Sequence, residues 1–308
     1  MKKDNGIVYA AALALREREA CYAELQPLDD GWRLAGAQMF ALPHGCMSGT
    51  HIADGTLLGD FLRKNLRFRW KKAPLIIGIP TTECFHQLLT LPVASVEEVR
   101  EVLRWNFSSY FPFPREDALY DVSEVNMPVP DASGAPALVV AAMKKEILPL
   151  CEALRSLSAC VDAVEPVGVA CARAVMPPSV YDRGGCVLLT VQCGATVQFA
   201  LINDGTGLMF RSASYDAETG LNDDALGAVK DEFLKTLAYV RSRFSCAPSL
   251  CVAGEDKLFA AVSEVTQGKI VERTGISELH CLELGPGAGK DWYDVAGLLL
   301  RYADEDRV

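Results

Sequence analysis

Few residues in this chain have the type and spacing that chemistry demands. The run Gly285-Pro286-Gly287-Ala288-Gly289-Lys290 has the glycines and the lysine of a phosphate loop. Such a loop needs G-x-x-x-x-G-K-[ST], so that backbone N–H groups cradle phosphates, the lysine reaches them and a hydroxyl meets the metal. Leu284 stands at the first glycine position and Asp291 at the hydroxyl position, so the run predicts a surface loop. The four histidines, His44, His51, His86 and His280, make no i,i+4 pair and no H-E-x-x-H pattern, which argues against metal ligation. No G-x-S-x-G elbow occurs, although a Ser-His-Asp set assembled only in three dimensions stays open. The acids of Asp216-Ala217-Glu218 and Asn222-Asp223-Asp224 read as charges that favour a helix N-terminus.

Composition narrows the class. At 308 residues the chain buries a large core in one large or two medium domains. Half of it is apolar and 23% is charged, as in globular proteins. A net charge of −10 argues against nucleic acid as a partner. Uncharged apolar runs fall short of the roughly 18 residues that span a bilayer. Lys2 and Lys3 precede an apolar stretch, but Asp4-Asn5-Gly6 interrupt it and Arg16-Glu17-Arg18-Glu19 follow, against a secretion signal. The 11 cysteines form no C-x-x-C pair, and they read as small apolar residues of a reduced, cytosolic protein. Residues 63–72 carry six cations and two aromatics, read either as the solvated end of a helix or as a patch for an anionic membrane face or acidic partner.

The elements that would position any site follow from periodicity. Strands are predicted over 7–15, 20–25 and 32–42, with Asp29-Asp30-Gly31 turning the second into the third. A helix follows over 54–66, then a strand at Leu75-Ile76-Ile77-Gly78-Ile79 whose unbroken apolar run expects cover on both faces. Ser95 and Glu98 form a capping box, and Val96, Val99, Leu103, Phe107 and Tyr110 share one helix side until Pro112 and Pro114 stop it. Strands at 118–125 and 137–143 flank a Pro/Gly/Asp-rich loop at 127–136. A helix over 148–157 admits Pro149 only in its first turn. A short strand at 163–165 and a helix from Pro166 to about Val175 come before the linker at 177–185. The opening plan then recurs: strands at 186–192, 196–203 and 207–214, with Asn203-Asp204-Gly205 at the second turn. A six-turn amphipathic helix carries Leu226, Val229, Phe233, Leu237, Val240 and Phe244. A strand at 250–253, a helix at 256–265, a strand at 269–271 and a helix at 291–302 close the chain.

Ile79-Pro80, Leu91-Pro92, the capped helix and Tyr110-Phe111-Pro112-Phe113 together resemble PilM, the actin-like protein of type IV pilus assembly. The likeness continues through the turn at Gly194, Phe210-Arg211, the long helix, Ala253-Gly254 and the closing Val295-Ala296-Gly297-Leu298-Leu299-Leu300-Arg301, so it covers nearly the whole chain. It implies a mixed α/β, actin-like ATPase (ribonuclease H-like) duplicated fold. Two lobes would face a cleft, the first over 1–176 with a small inserted subdomain at about 81–143, the second over 177–308.

The same resemblance implies two glycine-rich phosphate turns, each beside a metal-organising aspartate. Here Ala14-Leu15-Arg16 stands where the family shows Asp-x-Gly, and Val191-Gln192-Cys193-Gly194 where it shows Val-Asp-Ile-Gly. A degenerate nucleotide site is therefore expected at Gly194, Ala195, Thr196, Gly254 and Glu255, with no catalytic residue, no metal and no cofactor. The alternative is an active ATPase or sugar-kinase relative that binds ATP and Mg²⁺. By resemblance the chain would be a scaffold at the cytoplasmic face of the inner membrane, peripheral through its partner. It would grip the N-terminal tail of a PilN-like single-span protein, couple it to a pilus motor ATPase, and self-associate. Val99, Leu103, Phe107, Phe111, Pro112 and Phe113 are the candidates for the tail groove, with core packing as their simpler role. The cytoplasmic domain of GspL, from type II secretion, also looks like PilM. That family and FtsA continue into membrane helices, whereas this chain stops at Val308.

Overall fold

The computed structural model describes residues 10–67, 73–93, 95–127, 134–156, 160–177, 185–266, 271–276, 281–289 and 291–303. Several sequence features fall outside these residues: the opening segment 1–9, the end of the basic run at 68–72, most of the loop at 127–136, most of the linker at 177–185, His280 and Lys290.

Two sheets repeat one plan. In the first, β1 (Ala10–Leu15) pairs antiparallel with β2 (Glu19–Leu28), and β2 with β3 (Gly31–Ala41). After the two-residue strands β4 (Met47–Ser48) and β5 (His51–Ile52) comes helix α1 (Gly55–Asn65), capped by Asp54, whose carboxylate accepts from the Thr56 and Leu57 N–H groups at 2.9 Å. Strand β6 (Pro74–Ile79) then lies parallel to β1. In the second sheet, β11 (Cys186–Cys193), β12 (Thr196–Asn203) and β13 (Thr206–Ser214) form the same meander, and β14 (Ser249–Ala253) lies parallel to β11. Its second turn uses Asp204 at φ 45° and Gly205 at φ 79°, the left-handed pair that matches strand twist in a tight hairpin. A fifth parallel strand completes each sheet, β10 (Cys160–Pro166) beside β6 and β15 (Val271–Arg273) beside β14. The first sheet gains a sixth strand from the end of the chain, because β16 (Leu282–Leu284) pairs parallel with β3.

Both faces of β1 are covered, which explains its continuous apolar run. Leu13 and Leu15 face α1 and α3 (Lys144–Arg155), while Ala10, Ala12 and Ala14 face a second core shared with the other lobe. That shared core holds α4 (Val167–Val175) and the closing helix α7 (Tyr293–Ala303), packed on each other between the sheets. Small residues on that side let helix and sheet approach closely. The long helix α5 (Asp223–Phe244) buries Val229, Phe233, Leu237, Val240 and Phe244 as the periodicity predicts, and α6 (Asp256–Val265) packs beside it.

Pro149 corrects one expectation. The helix starts at Lys144, so the proline sits in its second turn and not in its first. That position forfeits one backbone hydrogen bond. The buried positions Ile147, Leu150, Cys151 and Leu154 keep the helix together across it.

The insertion in the first lobe is a three-stranded sheet, β7 (Cys84–Leu91), β9 (Ala135–Met143) and β8 (Ala118–Glu124), with β9 central. Helix α2 (Val96–Asn106) covers one face; Ser95 Oγ accepts from the Glu98 N–H at 3.3 Å, as the capping box predicts. One 3₁₀ turn at Phe107–Ser109 ends it ahead of Pro112.

Candidate functional site

Two cavities matter, one between the lobes and one beneath the insertion. The first is bounded by the β1–β2 turn and the β11–β12 turn, which face each other. The register Leu15↔Ala20, closed by the Arg16 N–H donating to Glu19 O at 2.9 Å, sets Arg16 at the mouth of the first turn. Its side chain enters the cleft and is only 9% exposed. Nε donates to Asp294 Oδ2 at 2.9 Å, Nη2 to Asp294 Oδ1 at 3.1 Å and to Cys193 Sγ at 3.4 Å, and Nη1 to Glu19 Oε1 at 2.7 Å. Asp294 sits fully buried in the first turn of α7, where a negative charge is favoured. Burial alone would weaken both charges. The Asp294 carboxylate nevertheless raises Arg16 well above the usual guanidinium range, and Arg16 holds Asp294 below the usual carboxylate range.

The second turn is filled from the same side. Gly194 has φ 56°, and a Cβ there would lie 3.0 Å from Arg16 Cδ and 3.1 Å from Nη1. The arginine therefore lies flat against the turn. Gln192, which the resemblance sets against an aspartate, is fully engaged: Nε2 donates to Tyr215 Oη and to Glu255 Oε1, both at 2.9 Å, and Oε1 accepts the Glu255 N–H at 3.0 Å. Tyr215 Oη in turn donates to Gly194 O at 2.7 Å. The remaining space is a cavity of about 580 Å³ whose wall includes all five expected positions, Gly194, Ala195, Thr196, Gly254 and Glu255. Its charged lining is four carboxylates, Glu17, Glu19, Glu255 and Asp291, against Arg16 and Arg18. Among the described residues no group of three or more His, Cys, Asp or Glu side chains is placed to hold a metal.

Arg18 spans the rim. Its guanidinium meets Glu218 at 2.6 Å and Asp216 at 3.9 Å in the opposite lobe. Asp223 and Asp224 do lie in the first turn of α5, capped by Asn222, but Asp216 and Glu218 serve this bridge and not the helix. The look-alike phosphate run is no phosphate loop. Gly285 N–H donates to Leu34 O at 3.0 Å, which lays the run along β3.

The second cavity, about 450 Å³, lies between the outer face of the inserted sheet and both lobes. Leu119, Leu138 and Val140 form its roof, Ile79, Ile147, Val164 and Val169 its floor, and Gly207 and Phe210 of β13 one end. β8 is an edge strand, and five consecutive residues, Leu119 to Ser123, line the groove. A polar cluster closes the far side: Arg173 pairs with Glu165 at 2.7 Å, and Arg301 with the same carboxylate at 3.2 Å.

Two sheets of matching strand order, joined through α4 and α7 with their first turns facing across a cleft, decide the architecture. It is the actin-like ATPase fold. A solved structure of the PilM-PilN type IV pilus biogenesis complex matches this chain with a TM-score of 0.71 and 15% identity, covering 96% of this chain and 98% of that one. The cytoplasmic domain of EpsL, an inner membrane component of the Vibrio cholerae type II secretion system, matches with a TM-score of 0.51 and 12% identity over 96% and 94%. At these identities the likeness shows the fold. No protein-family model and no curated protein sequence matches the chain.

Within this actin-like frame, the groove residues expected from the sequence fall inside the insertion. Val99, Leu103, Phe107, Phe111 and Phe113 are 0 to 7% exposed and form its core, with Phe107 stacked on Phe111 at 4.5 Å. Pro112 is exposed between them. They pack between α2 and the inner face of the sheet, whereas the groove lies on the sheet's opposite face. Sequence reasoning did not find Asp294, 278 residues from Arg16. Two local signals pointed to it: an arginine directly after the apolar strand β1, and an acid inside the apolar run of α7.

Proposed function

We propose that this chain is a scaffold of a type IV pilus or related secretion machine that grips an extended apolar tail of a PilN-like, membrane-anchored partner. The observation that carries this reading is the groove beneath the insertion. It has apolar walls, an edge strand along one side, and a width set by rigid sheets and helices, the setting in which extended peptides dock. The solved PilM-PilN complex supports it, since PilM assembles with PilN. In this reading the chain sits at the inner-membrane face through its partner and hands the contact on to a motor ATPase. Among the described residues no helix is long and apolar enough to cross a membrane. The EpsL likeness supports a type II secretion role for the same architecture as the nearest variant of this proposal.

The cleft, on this reading, takes no Mg-nucleotide. Mg²⁺ holds its water tightly and needs carboxylate oxygens to organise it. Ala14 and Gln192 supply none, and the Gln192 amide is already spent on Tyr215 and Glu255. A triphosphate would also meet an arginine whose donors are taken by Asp294 and Glu19, within a rim richer in carboxylates. The alternative, an ATP-binding actin-like enzyme, draws on the retained Gly194 turn and the size of the cavity.

The test is titration of the full chain with peptides copying the cytoplasmic N-terminal tails of single-span proteins encoded beside it. Saturable binding that Leu119→Glu abolishes supports the groove. No binding by any tail, or binding indifferent to Leu119→Glu, contradicts it.

A further inference from the structure

One pair of side chains outside both cavities is built for chemistry that neither uses. Cys186 Sγ and Cys246 Sγ lie 3.1 Å apart in the second lobe. Cys186 opens β11, and Cys246 follows the C-cap of α5, where Ser245 turns the chain at φ 50°. β11 and β14 run parallel with Val187 opposite Ser249, which brings Cys186 at the start of β11 beside the segment that leads from Cys246 into β14. Both cysteines are half-buried, within reach of a small solute. The other close thiols differ: Cys171 is fully buried, and Cys193 is held between Arg16 and the Asp291 carbonyl.

We propose that Cys186 and Cys246 are an oxidisable dithiol site that a peroxide converts to a disulfide. Disulfide sulfurs sit about 2.0 Å apart, so closure asks for roughly 1 Å of movement from the present contact. The Cys246 thiolate attacks one peroxide oxygen, breaking the O–O bond. This gives a sulfenic acid and one water once a proton is taken up. The Cys186 sulfur then attacks the sulfenic sulfur and displaces hydroxide, which leaves as water with the Cys186 proton. Two thiols lose two electrons in total, and one peroxide is reduced to two waters. Burial, and then the neighbouring Cys246, push the Cys186 thiol well above the usual range, so Cys186 is assigned the second step. The product staples the end of α5 to the start of β11, the strand that ends at the Gln192–Gly194 turn.

The experiment treats the reduced, full-length chain with hydrogen peroxide and maps its peptides without reductant. Titratable thiols should fall by two from eleven. A peptide linking Cys186 to Cys246 should appear in monomeric protein and vanish with dithiothreitol. Cys246→Ser and Cys186→Ser should each abolish it, and Cys160→Ser, at an exposed thiol, should leave it intact. Thiol loss confined to Cys160 and Cys281, cross-links only between molecules, or no linked 186–246 peptide would each overturn the proposal.

Discussion

The two cavities use their polar side chains differently. In the cleft, every strong polar group is answered from within the protein: Arg16 by Asp294 and Glu19, Gln192 by Glu255 and Tyr215. In the groove, the walls are mostly apolar, with Asp121 on the edge strand and Glu165 paired with Arg173 and Arg301 on the far side. An internal ion pair consumes the recognition that a nucleotide would need, whereas apolar walls keep theirs. On the proposed reading, the cleft serves to join the two sheets and the groove serves to bind.

The sharpest break of this comparison is Arg16→Ala. It leaves Asp294 buried without its counterion, a loss of about 3–5 kcal/mol that urea denaturation reads directly. Replacing both by apolar residues of similar volume should recover most of it. Acid separates the two regions next. His86 pairs across the sheet with Val140 of the groove roof, lies 5.7 Å from the Phe210 ring, and has an unpartnered Nε2. Burial lowers it from 6.5 to about 4. The unfolded chain therefore binds the proton first, and stability present above pH 6.5 declines as pH falls towards 4, by about 3 kcal/mol at most. Asp294 is lowered below 3.8, so its contribution persists through that window and fails only as pH drops through its folded value. Melting temperature against pH should fall between 6.5 and 4, and His86→Phe should flatten that fall.

A smaller effect belongs to Gly254→Ala. With φ at 148° and a Cβ only 2.7 Å from Gln192 Cβ, it should cost about 1–3 kcal/mol in the same urea assay. Leu119→Glu, on a half-buried groove wall, should weaken tail binding at least about tenfold, or 1.4 kcal/mol, while Arg16→Lys leaves that binding unchanged.

Much of the fold was legible because its signals are local. The apolar run of β6, the Ser95 cap, the Asp-Gly turns and the spacing of Val229 to Phe244 each declare an element within a few residues, and the repeat of the meander declares the duplication. The positions of the cleft wall came from the resemblance to PilM, and Gly194 to Thr196, Gly254 and Glu255 line the cavity. What remained hidden depends on distant contacts. The strand β16 returns across about 250 residues to β3, as the Arg33–Glu283 bridge illustrates. Pro149 is carried by packing, which overrides propensity. The side of α2 bearing Val99, Leu103 and Phe107 is apolar for the insertion's own core, and a helical stripe carries no mark of whether its partner is internal or another chain.

On the proposed reading, an arginine–aspartate pair stands where a metal-bound triphosphate would, and the chain works by holding proteins. Thermal melting of the full chain with Mg-ATP tests it most directly, since a ligand at 100 times its Kd would add about 2.7 kcal/mol of stability. The melting temperature should stay unchanged up to millimolar Mg-ATP. A saturable upward shift that Gln192→Ala or Gly194→Val removes would contradict it.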